Sequence, residues 1–194
     1  SEIDAFVARV VEASGGEVNG GLSDALKSAE EMLEGGAVSD AAEVFSAIIE
    51  EDNQNVKAYC GLARAKLDLE DIEGAEAVLN GVPADISDSP EIEAVFAKIA
   101  LARQALDVGP LSELEAVVAS DPSNSKARFE YSQALYAADN IDEAVAELLE
   151  LFRRDSEWND GAAKAQLFTI FDALEPNDPI VLNGRRKLSS MIFA

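Results

Sequence analysis

Apolar residues recur along this chain at three- and four-residue steps, and short polar or turn-forming stretches cut the pattern into segments of helical length. The stretch DNIDEAVAELLEL, Asp139 to Leu151, repeats much of what DIEGAEAVL says at Asp71 to Leu79. Aligning the small residue of each phrase puts Ala41, Ala75 and Ala144 in one phase, with Pro110 of GPLSELEAVV in the same phase. The spacings are then 34, 35 and 34. A large apolar residue follows four places later in each: Phe45, Leu79, Leu114 and Leu148. A fixed period of a few tens of residues marks a repeated supersecondary unit.

A second segment precedes each phrase. Tyr59 is followed by Leu62 and Ala63, Phe96 by Ile99 and Ala100, and Tyr131 stands beside Ser132. Large residues three and four apart form a helical stripe, and a small residue beside them lets a second helix come close. Each unit therefore reads as a helical hairpin. Ser39, Asp71 and Asp139 stand where helix N-caps are expected, and EDNQN and DPSNS where one unit hands over to the next. Alternating β-branched runs bounded by hairpin turns are absent, so the expected class is all-α.

The units resemble tetratricopeptide (TPR) repeats. That resemblance implies about four helical-hairpin repeats over residues 21–156, wound as a right-handed solenoid because a lone hairpin cannot bury both its faces. The first unit would place Ala25, Ser28, Ala29 and Met32 on its leading helix, and Arg128 stands where the family carries a bulky aromatic. Residues 157–194 read as two capping helices without the period, Asn159 to Leu174 and Asp178 to Phe193.

Charge narrows the function. Among 194 residues, 38 Asp and Glu face 15 Lys and Arg, a net charge of −23, which opposes binding to a phosphate backbone. The excess lies in residues 1–150, with 32 acids and 9 bases against 6 and 6 in residues 151–194. Nucleic acid is not expected as a partner. Nor is a membrane, for no apolar run is long enough to span one. With no histidine, serine–histidine and cysteine–histidine catalytic pairs are excluded, and a zinc site loses its commonest nitrogen ligand. The acid runs EEDN and DLEDIEGAE lack the glycine turn and terminal glutamate of a calcium loop and read as solvated helix ends. Cys60 is the one cysteine, read as a small buried hydrophobe rather than an exchanging thiol. No metal, cofactor or catalytic residue is expected.

The ending DGAAKAQLFTIFDALEPNDPIVLNGRRKLSSMIFA resembles the C-terminus of the YbbN, or chaperedoxin, family of thioredoxin-like co-chaperones, through Gly184, Arg185, Arg186 and Leu188. SEIDAFVARVVEAS resembles the helix that leads out of the thioredoxin-like domain in that family. The resemblance implies that residues 1–20 are a linker after a thioredoxin-like domain lying outside this sequence, which begins at Ser1 and holds neither CxxC nor SxxC. It further implies a non-catalytic module that binds client polypeptides, a chaperonin, or both, while the lone Cys60 and the lack of a signal sequence or spanning run lead to the expectation of a cytoplasmic protein.

Two sets of contact residues follow. Stepping along the leading helices gives Lys57, Cys60 and Arg64 in one unit and Lys126, Phe129, Gln133 and Tyr136 in another, as lining of a groove for a peptide. The last helix sets Arg185, Arg186 and Lys187 beside Leu188, Met191, Ile192 and Phe193. It reads either as a cap or as an amphipathic helix that docks into a partner. The alternative function is a stand-alone scaffold with one cognate partner, or one that associates with itself through apolar helix faces.

Overall fold

The computed structural model describes residues 18–193, with side chains from Gly21 onward. The expected linker over residues 1–20 lies outside the described residues, except that Val18 to Gly20 open the first helix. The regular elements are α1 (Val18–Glu34), α2 (Val38–Glu51), α3 (Val56–Asp68), α4 (Ile72–Asn80), α5 (Pro90–Leu106), α6 (Leu111–Ser120), α7 (Ser125–Ala137), α8 (Ile141–Arg154), α9 (Ala162–Ala173) and α10 (Pro179–Ile192). No strand occurs among the described residues.

Three hairpins close with one turn. Gly36, Glu70 and Asp139 each take a left-handed backbone, φ 82°, 61° and 61°, one residue before the next helix is capped. The residue after each donates its N–H five residues back, Ala37 to Met32 at 2.9 Å, Asp71 to Lys66 at 2.9 Å and Asn140 to Leu135 at 2.9 Å. This pairing satisfies carbonyls that a helix end would otherwise orphan. It also corrects two caps. Asp139 is the left-handed residue and Asn140 the N-cap, while Ser39 lies inside α2, whose N-cap is Ala37. Asp71 caps α4 as expected, accepting from the Gly74 N–H at 2.9 Å.

The handover turns also repeat. In EDNQN, Asp52 accepts from the Gln54 N–H and Asn55 caps α3 through the Ala58 N–H. In DPSNS, Asp121 accepts from the Ser123 N–H and Asn124 caps α7 through the Ala127 N–H.

The chain divides into two compact units after Ile99, inside α5. In the first, Leu22, Ala25, Ala29, Phe45 and Ile48 form one cluster, and Ala63, Ala75, Leu79, Ile92 and Ile99 another. Ala25 and Ala29 are fully buried and Met32 packs on the first cluster, which supports the expected leading helix of the first repeat. A Cβ on Gly61 of α3 would run into the Phe45 ring of α2, so glycine there is what permits the close approach.

In the second unit, α7 packs on α8, and α9 and α10 pack on α8 in turn. The core includes Leu148, Leu151, Leu167, Ile170, Phe171 and Val181. A Cβ on Gly184 of α10 would lie 2.6 Å from the Phe171 ring, the same device as in the first unit. The third repeat departs from the expected register. Ala41, Ala75 and Ala144 are each the fourth residue of their helices and fully buried, whereas Pro110 is the exposed N-cap of α6. Leu114 and Val118, both half-buried, hold the fourth and eighth positions, one helical turn later than the spacing implies. None of the α6 side chains is fully buried. Constant spacing misleads here because the longer loop before α5 and the 17 residues of α5 itself are nearly cancelled in the count by an α6 of 10 residues, against 14 in α2 and α8.

Candidate protein-interaction site

The leading helices of the second unit converge on one amide cluster. Gln104 of α5 presents its side-chain carbonyl to two donors, the Gln166 amide of α9 at 2.7 Å and the Gln133 amide of α7 at 3.3 Å. One turn from Gln133, the Phe129 ring lies 5.4 Å from Trp158 at an interplanar angle of 49°. Tyr136, half-buried on the same helix, has its hydroxyl pushed above the ordinary range by burial and then by Asp139. A side-chain amide can donate and accept at once, so the half-buried Gln104 and Gln133, braced by the buried Gln166, suit a polypeptide backbone, and the aromatic pair suits an apolar side chain.

Local folding positions Trp158. Asn159, Asp160 and Gly161 take consecutive left-handed conformations, φ 48°, 59° and 79°, where asparagine, aspartate and glycine are the tolerant residues. This reversal holds Trp158 against Phe129, while Asp160 and Gly161 line a separate groove.

That groove, about 850 Å³, is walled by Phe152 at the end of α8, Phe168 of α9, and Met191 and Ile192 of α10. Arg153, Lys164, Glu157 and Asp160 add two charges of each sign to its lining. Arg153 is tied to Glu150 at 2.7 Å, whereas Lys164, Glu157 and Asp160 form no ion pair among the described residues.

The expected contact residues separate into those that are available and those already engaged. In the first unit Lys57 is exposed and Arg64 half-buried, but Cys60 is buried. Burial above all, and then Glu91, push its thiol up to about 11. It stays protonated at neutral pH, as an inert core cysteine should. In the second unit Lys126 is exposed and lies 3.6 Å from Glu130, while Phe129, Gln133 and Tyr136 share the leading-helix face.

On α10 the apolar residues divide. Leu188 is 2% exposed, and with Val181 and Gly184 it belongs to the core, so it is not available to anchor a partner. Arg185 lies 5.7 Å above the Phe171 ring and 3.2 Å from Asp172. Arg186 donates to Asn183, and Lys187 is exposed. Met191 and Ile192 line the unit's own groove, and Phe193 is 87% exposed. One face of α10 is thus a cap, and its apolar residues stay open at Leu182 and over the last turn.

Gln104, Gln166, Trp158, Phe152 and Phe168 escaped sequence reasoning. Only Trp158, the single tryptophan, carried a signal in composition. The glutamines lie on three helices at no fixed spacing.

Two tetratricopeptide-repeat models match the chain, one over residues 24–99 and one over residues 104–193. An uncharacterised protein of Haemophilus influenzae is 26% identical over 142 residues, 73% of this chain and 64% of that protein, so the chain spans less than two thirds of this relative. Among solved structures, a domain of protein VP0806 from Vibrio parahaemolyticus is 25% identical with a TM-score of 0.40, covering 87% of this chain and 98% of that one. YrrB, described as a TPR protein with an unusual peptide-binding site, is 15% identical with a TM-score of 0.43, covering 93% of this chain and 97% of its own.

Proposed function

We propose that this chain, an all-α array of tetratricopeptide repeats, is the client-holding part of a thioredoxin-like co-chaperone and does no catalysis itself. Tetratricopeptide repeats imply a protein–protein interaction module, and their match over residues 24–99 and 104–193 is the observation that carries the reading. The co-chaperone assignment is supported by the sequence of the last helix around Gly184, Arg185, Arg186 and Leu188 and by that of the opening segment.

The leading-helix face of the second unit is the site for an extended client segment. Gln104 and Gln133 meet its backbone, with the buried Gln166 holding Gln104 in place, and Phe129 with Trp158 takes an apolar side chain. Recognition of backbone and bulk rather than of particular side chains suits clients of varied sequence. The acidic surface favours basic segments, with encounter that slows as salt rises.

Trp158 supplies a built-in probe. Heat-unfolded malate dehydrogenase should shift its emission and scatter less light when the chain is present, and Phe129→Ala and Gln133→Ala should each weaken both effects. Suppression of scattering that survives both substitutions unchanged would remove the site from this face. A chaperonin partner rests on the sequence resemblance and is tested with purified chaperonin on immobilised chain, where no retention refutes it.

A further inference from the structure

The described residues include seven large hydrophobic side chains that are exposed, and three of them, Phe168 of α9, Ile192 at the end of α10 and Phe193 just after it, lie in or next to the groove. Exposed apolar residues scattered singly need no explanation, but a cluster beside a groove does. The same segment is electrically unlike the rest, with 6 acids and 6 bases after residue 150 against 32 and 9 before it.

We propose that the groove between the end of α8 and the last turn of α10 is a homodimer interface, and that its occupant is the same surface of a second copy. Two chains of net charge −23 repel over most of their surface. The segment after residue 150 is where copies meet without that penalty. The groove's own charges are self-complementary, for among the described residues Lys164 forms no ion pair, and neither does Glu157 or Asp160. A two-fold axis sets the cation of each copy against the acids of the other, as an isologous contact requires. It also brings Ile192 and Phe193 of each copy to Phe168 of the other and removes Phe193, 87% exposed, from water.

The patch is only a few side chains wide, which places the dimer among weak associations. Trp158 and the amide row are not part of the groove's lining, so a dimer presents two client sites and gains avidity for a long unfolded segment.

The test is sedimentation velocity on the full chain over a wide concentration series. The expected result is a monomer–dimer equilibrium that tightens as salt rises, because screening relieves the net repulsion while the apolar contact persists. A basic foreign partner would show the opposite dependence. Phe193→Glu, on the surface, should weaken the dimer by about tenfold or more, and Leu106→Glu, 75% exposed but outside the groove, should not. Lys164→Glu should weaken it, and adding Glu157→Lys should restore it. A chain that stays monomeric throughout, or a dimer indifferent to Phe193→Glu, overturns the proposal, whether or not the groove then proves to bind another protein.

Discussion

The two units solve the same packing problem with different materials. In the first, the helical hairpins close over alanine, valine, leucine and phenylalanine, and the described buried side chains are apolar throughout. In the second, the buried set includes Arg128, Ser132 and Gln166. Arg128 forms an ion pair with Glu147 and donates to the Pro122 carbonyl at 3.1 Å, while Arg154 reaches the same carbonyl at 2.9 Å. Buried polar groups do not strengthen a fold over an apolar core, but they fix which partners meet. The first unit is therefore the generic repeat, and the second is a repeat specialised in its interior as well as on its surface.

The largest effects should come where the units are alike. Phe45 and Phe171 are each fully buried against a glycine of a neighbouring helix. Phe45→Ala and Phe171→Ala should each cost about 3–5 kcal/mol in chemical denaturation. Gly61→Ala and Gly184→Ala are sharper, since alanine in a helix interior would otherwise gain about 1 kcal/mol. With the ring pinned, overpacking at about 1–3 kcal/mol outweighs that gain. Net stabilisation by either substitution would show that the rings can move aside.

The next effect separates the units. Arg128→Ala leaves Glu147, a quarter exposed, without its cation, while Arg154 still serves the Pro122 carbonyl, at a cost of roughly 3 kcal/mol. Replacing Arg128 by Phe together with Glu147→Leu returns the position to the aromatic its repeat family carries and should recover most of that loss. No recovery would mean that the cavity is shaped for arginine.

How much of this was legible follows from the same contrast. The hairpins, the handover turns, the burial of Ala41, Ala75 and Ala144 and the two terminal helices were all readable, because they depend on local spacing and capping. The third repeat was misread because a count of residues cannot distinguish turn from helix, and Pro110 fell into phase by compensation. Leu188 was assigned to a partner although it lies in the core, since an amphipathic stripe looks the same whichever protein covers it. The amide row was invisible because Gln104, Gln133 and Gln166 meet only after three helices have packed.

Acid should act on the second unit in a defined window. Hydrogen bonds from Arg153 and Arg154 hold the Glu150 carboxyl down to about 2 from its ordinary 4.5. A depressed folded value means the stabilisation is complete above the unfolded value and is lost as pH falls from 4.5 through about 2. Glu150→Gln should flatten the stability–pH curve in that window, and an unchanged slope would show that the arginine bonds are screened away in solution.

The smallest effect tests the caps. Asp71 and Asn140 hold equivalent positions, one residue after the left-handed Glu70 and Asp139. Asp71 accepts from the Gly74 N–H at 2.9 Å and from Lys66 at 3.1 Å, and the Gly74 hydrogen bond, then Lys66, lowers its carboxyl pKa. Asn140 makes no side-chain cap hydrogen bond. An N-cap side chain stabilises a helix only through the orphan N–H it satisfies. Asp71→Ala should therefore lower stability measurably in thermal unfolding and Asn140→Ala scarcely at all, because α8 is held by six buried apolar side chains, from Ala144 to Phe152, rather than by its first turn. Equal losses at the two positions would mean that Asn140 closes its cap in solution, and that the left-handed turn and the cap act as one motif in both units.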